Sequence, residues 1–399
     1  MNQPTVSIVV LNYNGLRHLD DCFTSLAALN YPAEQLELLL VDNASSDGSV
    51  AFMQERFPGV HVVETGSNLG FAGGNNRGAE TATGEYIIFL NNDMRVDPGF
   101  VTGLLEAIDS DPEAVCVGAK ILNWDRTRFD FAGSTADFAA HAYQTGLDQP
   151  YDPSLHNEIV PLLYACGGAM LVERVLFLDV GGFDEDFFMY YEDLDFGWRL
   201  WLLGHKVLFA PSAVATHKHH GSINRIPDAQ RWLTFFQKRN SLYAVLKNYE
   251  EARLGPVMAT ILAATVDGVV GGAVEAGELA PAYFRDFGAN AQTGPASISD
   301  PERLAALAAV QALMDNLPRM LDKRHTIQDR RKRTDAELAR LFLWPFRYWP
   351  DATVRPQYMA AEAFGVQELF GDVPRRVLVV SSDILPYPGM PTVGSGLRA

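Results

Sequence analysis

The chain has 399 residues, of which 48% are hydrophobic and 20% charged, so it can bury a large core and is not disordered as a whole. Because domains usually have about 100 to 200 residues, this length predicts two or three of them. The formal charge of −17 argues against nonspecific nucleic-acid binding, since phosphate backbones would be repelled. The three cysteines are far apart and form no CxxC pair, which excludes a disulfide scaffold and a thiolate zinc site.

Short apolar runs alternate with segments of helical periodicity in the first 119 residues, a pattern typical of a parallel sheet with crossover helices. The predicted strands are residues 6–11, 36–41, 60–64, 86–90 and 114–119. Apolar residues at i, i+3, i+4, i+7 predict helices over 19–26 and 101–108 that pack on the sheet. The predicted fold class is therefore α/β.

The composition downstream divides the rest of the chain. Residues 128–161 are rich in turn formers and are predicted to form loops and hairpins over the sheet edge, and helices are predicted over 194–203 and 230–249. We predict an α/β domain over 1–250, a helical domain over 251–350, a linker over 351–373 and a truncated further domain over 374–399. The last segment has a single apolar run and cannot form a domain alone.

Three segments bear on membrane association. The amino terminus lacks a basic n-region, so no signal peptide is predicted and a cytoplasmic location is expected. The apolar stretch 257–274 contains Asp267 and several glycines, and we predict a buried helix pair instead of a membrane span. Residues 319–340 hold eight basic and four acidic residues, which predicts either a solvated helix face or a surface that attracts a phosphate-bearing or membrane-surface acceptor.

Polar loops follow three of the predicted strands, at residues 12–15, 42–48 and 91–93. Ligands of open α/β sheets bind at the carboxyl ends of the strands, so these loops are expected to converge on one crevice. Asp42 is predicted to accept hydrogen bonds from a pyrimidine N–H or a ribose hydroxyl, with capping of the following helix as the alternative. Asp93 suits Mg or Mn bridging a diphosphate, although an ordinary turn would use the same residues.

An acidic stretch over 184–195 is the second candidate region. Like charges and partial burial raise a carboxylate pKa toward the range of a general base. Asp193 would lie at the start of a helix, and helix capping is its alternative role. His217, His219 and His220 form a cluster that could supply a neutral imidazole ligand to Mn, or could lie on the surface without a role.

No dinucleotide-binding Gly-x-Gly-x-x-Gly follows the first strand, and neither a P-loop nor a Gly-x-Ser-x-Gly elbow is present. The ordered segments 6–15, 41–49, 68–76, 84–93, 181–185 and 192–195 resemble those of glycosyltransferase family two, which has the GT-A fold, and particularly its bacterial rhamnosyltransferase-like members. The resemblance covers about residues 4 to 250. The segment 374–399 resembles the start of a GT-B glycosyltransferase.

The resemblance implies a role for each site residue. Donor-binding roles fall on Leu11, Tyr13, Asp42, Asn68, Asn75, Asn92 and Gly168. Asp93 and His217 would bind the metal, with His219 as an alternative to His217. Asn91 stands where the family's DXD motif has its first acid, so one carboxylate fewer is available and a histidine ligand becomes more useful. Asp193 would be the catalytic base.

The implied activity is that of an inverting, Mg- or Mn-dependent glycosyltransferase. It would use a nucleoside-diphosphate sugar such as dTDP-rhamnose and a glycan or polyprenyl-linked acceptor in bacterial surface-polysaccharide synthesis, with peripheral membrane association left open. A single displacement needs no enzyme nucleophile and inverts the anomeric carbon. The alternatives are a UDP-hexose or UDP-N-acetylhexosamine transferase, a sugar-nucleotide pyrophosphorylase, and a non-catalytic carbohydrate-binding or scaffold module.

Overall fold

A computed structural model describes residues 3–218, 229–275, 300–343 and 355–369 of the chain. The strands are β1 Val6–Asn12, β2 Leu36–Asp42, β3 His61–Glu64, β4 Tyr86–Asn91, β5 Met94–Val96, β6 Ala114–Asn123, β7 Phe129–Phe131, β8 Ser134–Ala136, β9 Ala142–Gln144, β10 Ala169–Glu173 and β11 Lys206–His217. Within the described residues, nine of them form one sheet of order β3-β2-β1-β4-β10-β6-β11-β5, with β7 paired to β6. Strands β8 and β9 form a separate hairpin.

The sheet is mixed, because an antiparallel strand lies in its middle. β1 pairs in parallel with β2 and β4, and β2 pairs in parallel with β3. β10 is antiparallel to both β4 and β6, whereas β11 runs parallel to β6. The five predicted strands are all present, but β5, β10 and β11 were not assigned from the sequence. The apolar run that contains β10 is broken by Gly167 and Gly168, and that of β11 by Pro211, so neither run predicts a single strand.

Six helices accompany the sheet: α1 Leu16–Ala27, α2 Ser49–Arg56, α3 Gly70–Thr81, α4 Phe100–Asp109, α5 Arg174–Asp179 and α6 Glu192–Leu202. Contacts join α3 to β1 and β2, and α4 to β6 and β11. Four buried phenylalanines, with ring centroids of successive pairs 4.9 to 5.4 Å apart, pack β4 against α5 and α6; these are Phe89, Phe177, Phe183 and Phe196. The start of α6 is thereby fixed relative to the end of β4.

The remaining described helices are α7 Ala229–Asn248, α8 Glu251–Glu275, α9 Pro301–Asp315, α10 Leu317–Asp329, α11 Asp335–Leu338, α12 Arg355–Ala363 and α13 Val366–Leu369. Helix α7 contacts α6, α9 and α10, so it joins the α/β part to the helical part. The domain boundaries at 250, 350 and 373 stay predictions. Residues 374–399 lie outside the described part of the chain.

Several cations of the basic segment 319–340 form ion pairs with acids of the α/β part. Lys323 Nζ lies 2.6 Å from Asp186 Oδ2, and Arg319 lies 2.5 Å from the same carboxylate. Arg330 pairs with Asp179 at 2.6 Å. Lys323 and Arg319 therefore pair with the acidic stretch and Arg330 pairs with α5, while Arg331 pairs with Asp335 four residues on at 3.0 Å, as expected of a solvated helix face. Attraction of a phosphate-bearing or membrane-surface acceptor stays a prediction.

The apolar stretch after residue 250 forms one helix, α8, and the predicted buried helix pair was wrong. Its window Glu251–Val270 has a mean hydropathy of 1.4, and only 22% of that window is buried. Val266 is 55% exposed and Val270 is 43% exposed. By length and composition, α8 is the one helix among the described residues that could cross a membrane, which is weak support for a span.

Candidate active site

The carboxyl ends of β1, β2 and β4 meet in a buried hydrogen-bonded group. Asn12 and Asp42 are paired in register, and Asn12 Nδ2 donates to Asp42 Oδ1 over 3.0 Å. Asn92 Nδ2 donates to Asn12 Oδ1 over 2.7 Å. Three separate loops are thus connected through Asn12. This bridging role was not predicted from the sequence.

Asp42 is 2% exposed and also stabilises its own loop. Its Oδ2 accepts from the backbone N–H of Ser45 over 2.8 Å, and the N-cap of helix α2 is Gly48, which has no side chain to cap it; the Oδ1 of Asp47 accepts from the N–H of Ser49, the first residue of that helix, over 3.1 Å. Each carboxylate oxygen has two lone pairs, so Asp42 keeps acceptor capacity for a ligand. A ligand role and a loop-forming role are therefore compatible at this residue.

The loop after β1 lies directly against this group. A Cβ added at Gly15 would come within 2.1 Å of Asn92 Nδ2 and 2.6 Å of Asn12 Oδ1. A side chain here would break the bridge, so the position requires glycine for space. The neighbouring Tyr13 is 47% exposed and its ring is available to a ligand at this edge.

Asn68 and Asn75 contribute to the loop and helix beside β2. Asn68 Oδ1 accepts from the N–H of Gly70 over 2.9 Å and from Asn43 Nδ2 over 3.0 Å, which fixes the start of α3. Asn75 is 1% exposed and donates to the carbonyl of Phe71 within its own helix over 3.0 Å. Leu11 packs against α3 at Gly74, where an added Cβ would lie 2.4 Å from Leu11 Cδ1. The structure thus gives Asn68 and Asn75 structural hydrogen bonds and brings Leu11 to the same edge.

Asp93 and His217 converge from different strands. His217 Nε2 lies 3.3 Å from Asp93 Oδ1, and the N–H of Lys218 donates to the carbonyl of Asp93 over 3.0 Å. On the other side of the ring, His217 Nδ1 lies 2.6 Å from Asp130 Oδ2. Burial lowers the pKa of His217, but the hydrogen bonds and charges of Asp130 and Asp93 outweigh it and raise the pKa to about 10. His219 lies outside the described residues.

Asp130 was not identified from the sequence. It is 4% exposed, lies on β7 and comes from the turn-rich segment after β6, which gave no sign of a site. A carboxylate behind a histidine fixes the tautomer and the direction of the opposite nitrogen, an arrangement that is common around metal-binding histidines. Nε2 of His217 is therefore directed toward Asp93.

Asp193 lies at the amino end of α6 with both carboxylate oxygens on backbone N–H groups. Oδ2 accepts from Gly167 over 3.0 Å and Oδ1 accepts from Leu194 over 2.8 Å. Burial is the largest effect and raises the pKa of Asp193 to about 6, although these hydrogen bonds act in the opposite direction. The carboxylate therefore changes protonation close to neutral pH.

The other acids of the stretch have different surroundings. Asp195 is fully buried and pairs with Arg199 at 2.8 Å and with Lys247 at 2.9 Å. Burial, and then the charge of Asp193, raises the pKa of Glu192 well above its ordinary value. Burial opposes ionisation of Asp184, but the ammonium groups of Lys247 and Lys323 hold its pKa below its ordinary value. Of these acids, Asp193 has the titration range of a general base.

A short turn joins Asp193 to the loop after β4. The N–H of Asn91 donates to the carbonyl of Gly168 over 2.9 Å, and the preceding Gly167 donates to Asp193. A Cβ added at Gly168 would lie 2.8 Å from Asn91 Nδ2. One edge of the sheet thus connects the loops after β1, β2 and β4, the Asp93–His217 pair, and Asp193.

Comparison with known proteins identifies the family of the chain. Residues 7–177 match the model of Glycosyl transferase family 2. An N-acetylglucosaminyl-diphospho-decaprenol L-rhamnosyltransferase of Mycobacterium tuberculosis is 30% identical over 242 residues, which cover 55% of this chain and 78% of the relative. The O-antigen biosynthesis protein RfbC of Myxococcus xanthus is 32% identical over 247 residues, 58% of this chain and 19% of the relative.

The solved structures agree on the fold. GalNAc-T7, crystallised with UDP, GalNAc and Mn²⁺, superimposes with a TM-score of 0.52 at 18% identity, covering 67% of this chain and about half (51%) of that one. The fold is GT-A, followed by a helical carboxyl-terminal region. The chain belongs to glycosyl transferase family 2, and the protein is a glycosyltransferase with a rhamnosyltransferase-like sequence.

Proposed function

We propose that this enzyme transfers a sugar, with inversion and with the help of Mg or Mn, from a nucleoside diphosphate to a lipid-linked or glycan acceptor in bacterial surface-polysaccharide assembly. The observation that carries the proposal is the turn at Gly167 and Gly168, which joins Asp193 to the loop of Asn92 and Asp93. An inverting displacement needs a catalytic base whose pKa lies near neutral pH, and an edge that binds the diphosphate.

The donor would occupy the edge formed by the ends of β1, β2 and β4. Asp42 would accept a hydrogen bond from the nucleobase, Asn92 would bind the ribose, and Tyr13 would cover the nucleotide with its exposed ring. Leu11, Asn68, Asn75 and Gly168 would shape this pocket from behind. This assignment is supported by the hydrogen bonds that connect Asp42, Asn12 and Asn92.

The residues present fit a divalent cation. Asp93 and His217 converge to 3.3 Å, and Asp130 orients the imidazole from behind. One carboxylate and one imidazole leave the remaining positions to diphosphate oxygens and water, which suits Mg or Mn. When bound, such an ion neutralises the charge of the departing diphosphate. Because coordination requires a neutral imidazole, cation binding would release the proton of His217.

Asp193 would remove the proton from the acceptor hydroxyl as that oxygen attacks the anomeric carbon. The new bond forms on the face opposite the departing nucleoside diphosphate, so the configuration inverts in a single step. The product should have the opposite anomeric configuration to the donor when its NMR spectrum is recorded immediately. A product of unchanged configuration would rule out this role for Asp193.

The donor is proposed to be a dTDP-deoxyhexose such as dTDP-rhamnose, by similarity to the mycobacterial relative, and a polyprenyl-diphosphate-linked sugar is the corresponding acceptor. A thermal-shift screen of nucleotide sugars with Mn or Mg tests the donor, since a bound ligand raises Tm by mass action. UDP-hexoses and UDP-N-acetylhexosamines belong in the same screen. Stabilisation by none of these donors would favour a non-catalytic carbohydrate-binding module.

Replacement of the base separates chemistry from binding. Asp193→Asn should leave donor affinity unchanged and lower kcat by about 100-fold or more, because general-base catalysis contributes about that much. Glu185→Gln, in the same acidic stretch but exposed, is the matched control and should retain activity. Equal turnover in Asp193→Asn and wild type would contradict the proposal.

A further inference from the structure

The backbone just before Asp193 adopts a conformation that side chains other than glycine seldom take. Phe188, Tyr190 and Tyr191 have φ of 62°, 67° and 66°, all in the left-handed region. Tyr191 is the N-cap residue directly before α6, so the position of Asp193 depends on this segment. Such a conformation persists only where the surroundings hold it in place.

The support comes from helix α7. Asn240, which is fully buried, directs its Nδ2 to the carbonyls of Phe187 at 3.1 Å, Met189 at 2.9 Å and Tyr190 at 2.7 Å. Three carbonyls can converge on one amide because the left-handed residues between them turn the chain back on itself. Without Asn240, the partly buried carbonyls of Met189 and Tyr190 would lose this donor, and an unsatisfied carbonyl is costly.

Arg239 fixes which way that amide points. Its Nε donates to Asn240 Oδ1 over 2.9 Å, so Nδ2 is the atom left facing the segment. Its Nη2 donates to the carbonyls of Asp186 and Phe187, each over 2.8 Å. The two neighbours therefore act together on one stretch of backbone.

The other side of the segment is held by helix α3. The carbonyl of Phe188 accepts from the N–H groups of Phe71 at 2.6 Å and Ala72 at 3.2 Å. A Cβ added at Gly70 would lie 2.3 Å from that carbonyl oxygen. The segment is thus held between α3, beside the proposed donor site, and α7.

We infer that Asn240, supported by Arg239, is a positioning residue for the catalytic base: it holds the left-handed segment 188–191 and thereby aligns Asp193 with the acceptor hydroxyl. The inference rests on the proposed function for its catalytic meaning. Its structural part, that Asn240 holds this segment, can be measured without any substrate.

The experiment compares Asn240→Ala with Ser241→Ala by hydrogen–deuterium exchange of the full chain. Ser241 is a matched control because it is the next residue of α7, is 2% exposed, and donates to the carbonyl of Ala139 instead. Amides of residues 188–195 should exchange at least tenfold faster in Asn240→Ala and at the wild-type rate in Ser241→Ala. Equal exchange in the two variants would overturn the inference.

Kinetics then test the catalytic consequence. With the donor found active for wild type, Asn240→Ala should lower kcat by tenfold or more while donor KM stays within threefold. The acid limb of its pH profile should also move to lower pH, because a displaced Asp193 is less buried. A purely structural defect would lower the fraction of active enzyme and leave that limb unchanged, and this result would also overturn the inference.

Arg239→Met provides a second variant if Asn240→Ala does not fold, since Arg239 is only partly buried. It should accelerate exchange over the same amides and lower kcat to a smaller extent. If wild type transfers no sugar from any donor, the proposed function has failed, and the exchange data alone decide whether Asn240 holds the segment. If wild type is active and both variants match Ser241→Ala, the inference has failed and the proposed function stands.

Discussion

Asp193 combines two opposing influences on one carboxylate. Burial raises its pKa to about 6 from 3.8, while backbone N–H groups of Gly167 and Leu194 favour the charged form. As the proposed base, Asp193 must be ionised to accept a proton, so we expect activity to be lost as pH falls through its pKa in the folded protein. With the ordinary value, full activity would extend about two pH units lower.

We therefore expect kcat at saturating donor to fall about tenfold per pH unit below pH 6 and to be level above pH 7. A profile recorded between pH 4.5 and 8.5 gives the midpoint, and the folded fraction at each pH separates ionisation from unfolding. A rate that stays level down to pH 4.5 would show that the step governed by Asp193 does not limit turnover.

Asp130 gives a second prediction at the scale of one side chain. Asp130→Asn should weaken Mn²⁺ binding by about 10- to 100-fold, the usual effect of removing a carboxylate behind a metal-binding histidine. Titration with Mn²⁺, followed by electron paramagnetic resonance, measures this without turnover. Asp137→Asn is the matched control, because Asp137 pairs with His141 at 2.9 Å in the same manner on the β8–β9 hairpin.

An unchanged Mn²⁺ affinity in Asp130→Asn would mean that His217 is not a ligand of the bound ion. Equal loss in both variants would indicate a general loss of stability.

Helix α6 carries Asp193 and packs unusually close to the chain before β10. A Cβ added at Gly197 would lie 2.5 Å from Tyr164 Cβ and 2.7 Å from the carbonyl oxygen of Leu163. Backbone atoms cannot move aside as the end of a flexible side chain can, so Gly197→Ala should displace helix α6. We expect a loss of about 1–3 kcal/mol in the free energy of unfolding, the range for overpacked cores.

Gly268→Ala, in helix α8, is the matched control, because nothing lies within 4 Å of the added Cβ. Alanine favours a helix interior over glycine, so this change should stabilise by up to about 1 kcal/mol. Urea unfolding measures both variants. Equal effects of the two substitutions would contradict the close packing of α6.

Strands marked by a continuous local run of apolar residues were predicted from the sequence, and strands without such a run were missed. The parallel strands were predicted because each is a continuous apolar run covered on both faces. β10 was missed because its five residues directly follow a glycine pair, and β11 because it is interrupted by a bulge. Asp42 and Asp93 were predicted because strand ends are visible in the sequence, and their roles stay predictions. Asp130 and Asn240 were not predicted, because their contacts span 87 and about 50 residues.

At the scale of the whole molecule, a buried lysine of α7, the helix that joins the two parts of the chain, pairs with two carboxylates of the acidic stretch. Lys247, which is 1% exposed, lies 2.5 Å from Asp184 and 2.9 Å from Asp195. Lys247→Met would leave buried carboxylates with fewer cations, and such a loss costs about 3–5 kcal/mol. We expect a decrease near the lower end of that range, since Arg199 and Lys323 remain as partners.

Lys323→Met is the control for Lys247→Met. Its side chain is 31% exposed, so solvent screens its ion pairs and the loss should be below about 1 kcal/mol. Urea unfolding followed by circular dichroism compares the two. A larger loss in Lys323→Met than in Lys247→Met would reverse the assignment of the central cation.

The turn at Gly167 and Gly168 links the two halves of the proposed site mechanically. Its two residues are covalent neighbours, yet one holds the carboxylate of Asp193 and the other holds the backbone of Asn91. A ligand that shifts Asn91 would therefore also displace the backbone that holds Asp193. Occupancy of one half of the proposed site would in this way change the geometry of the other.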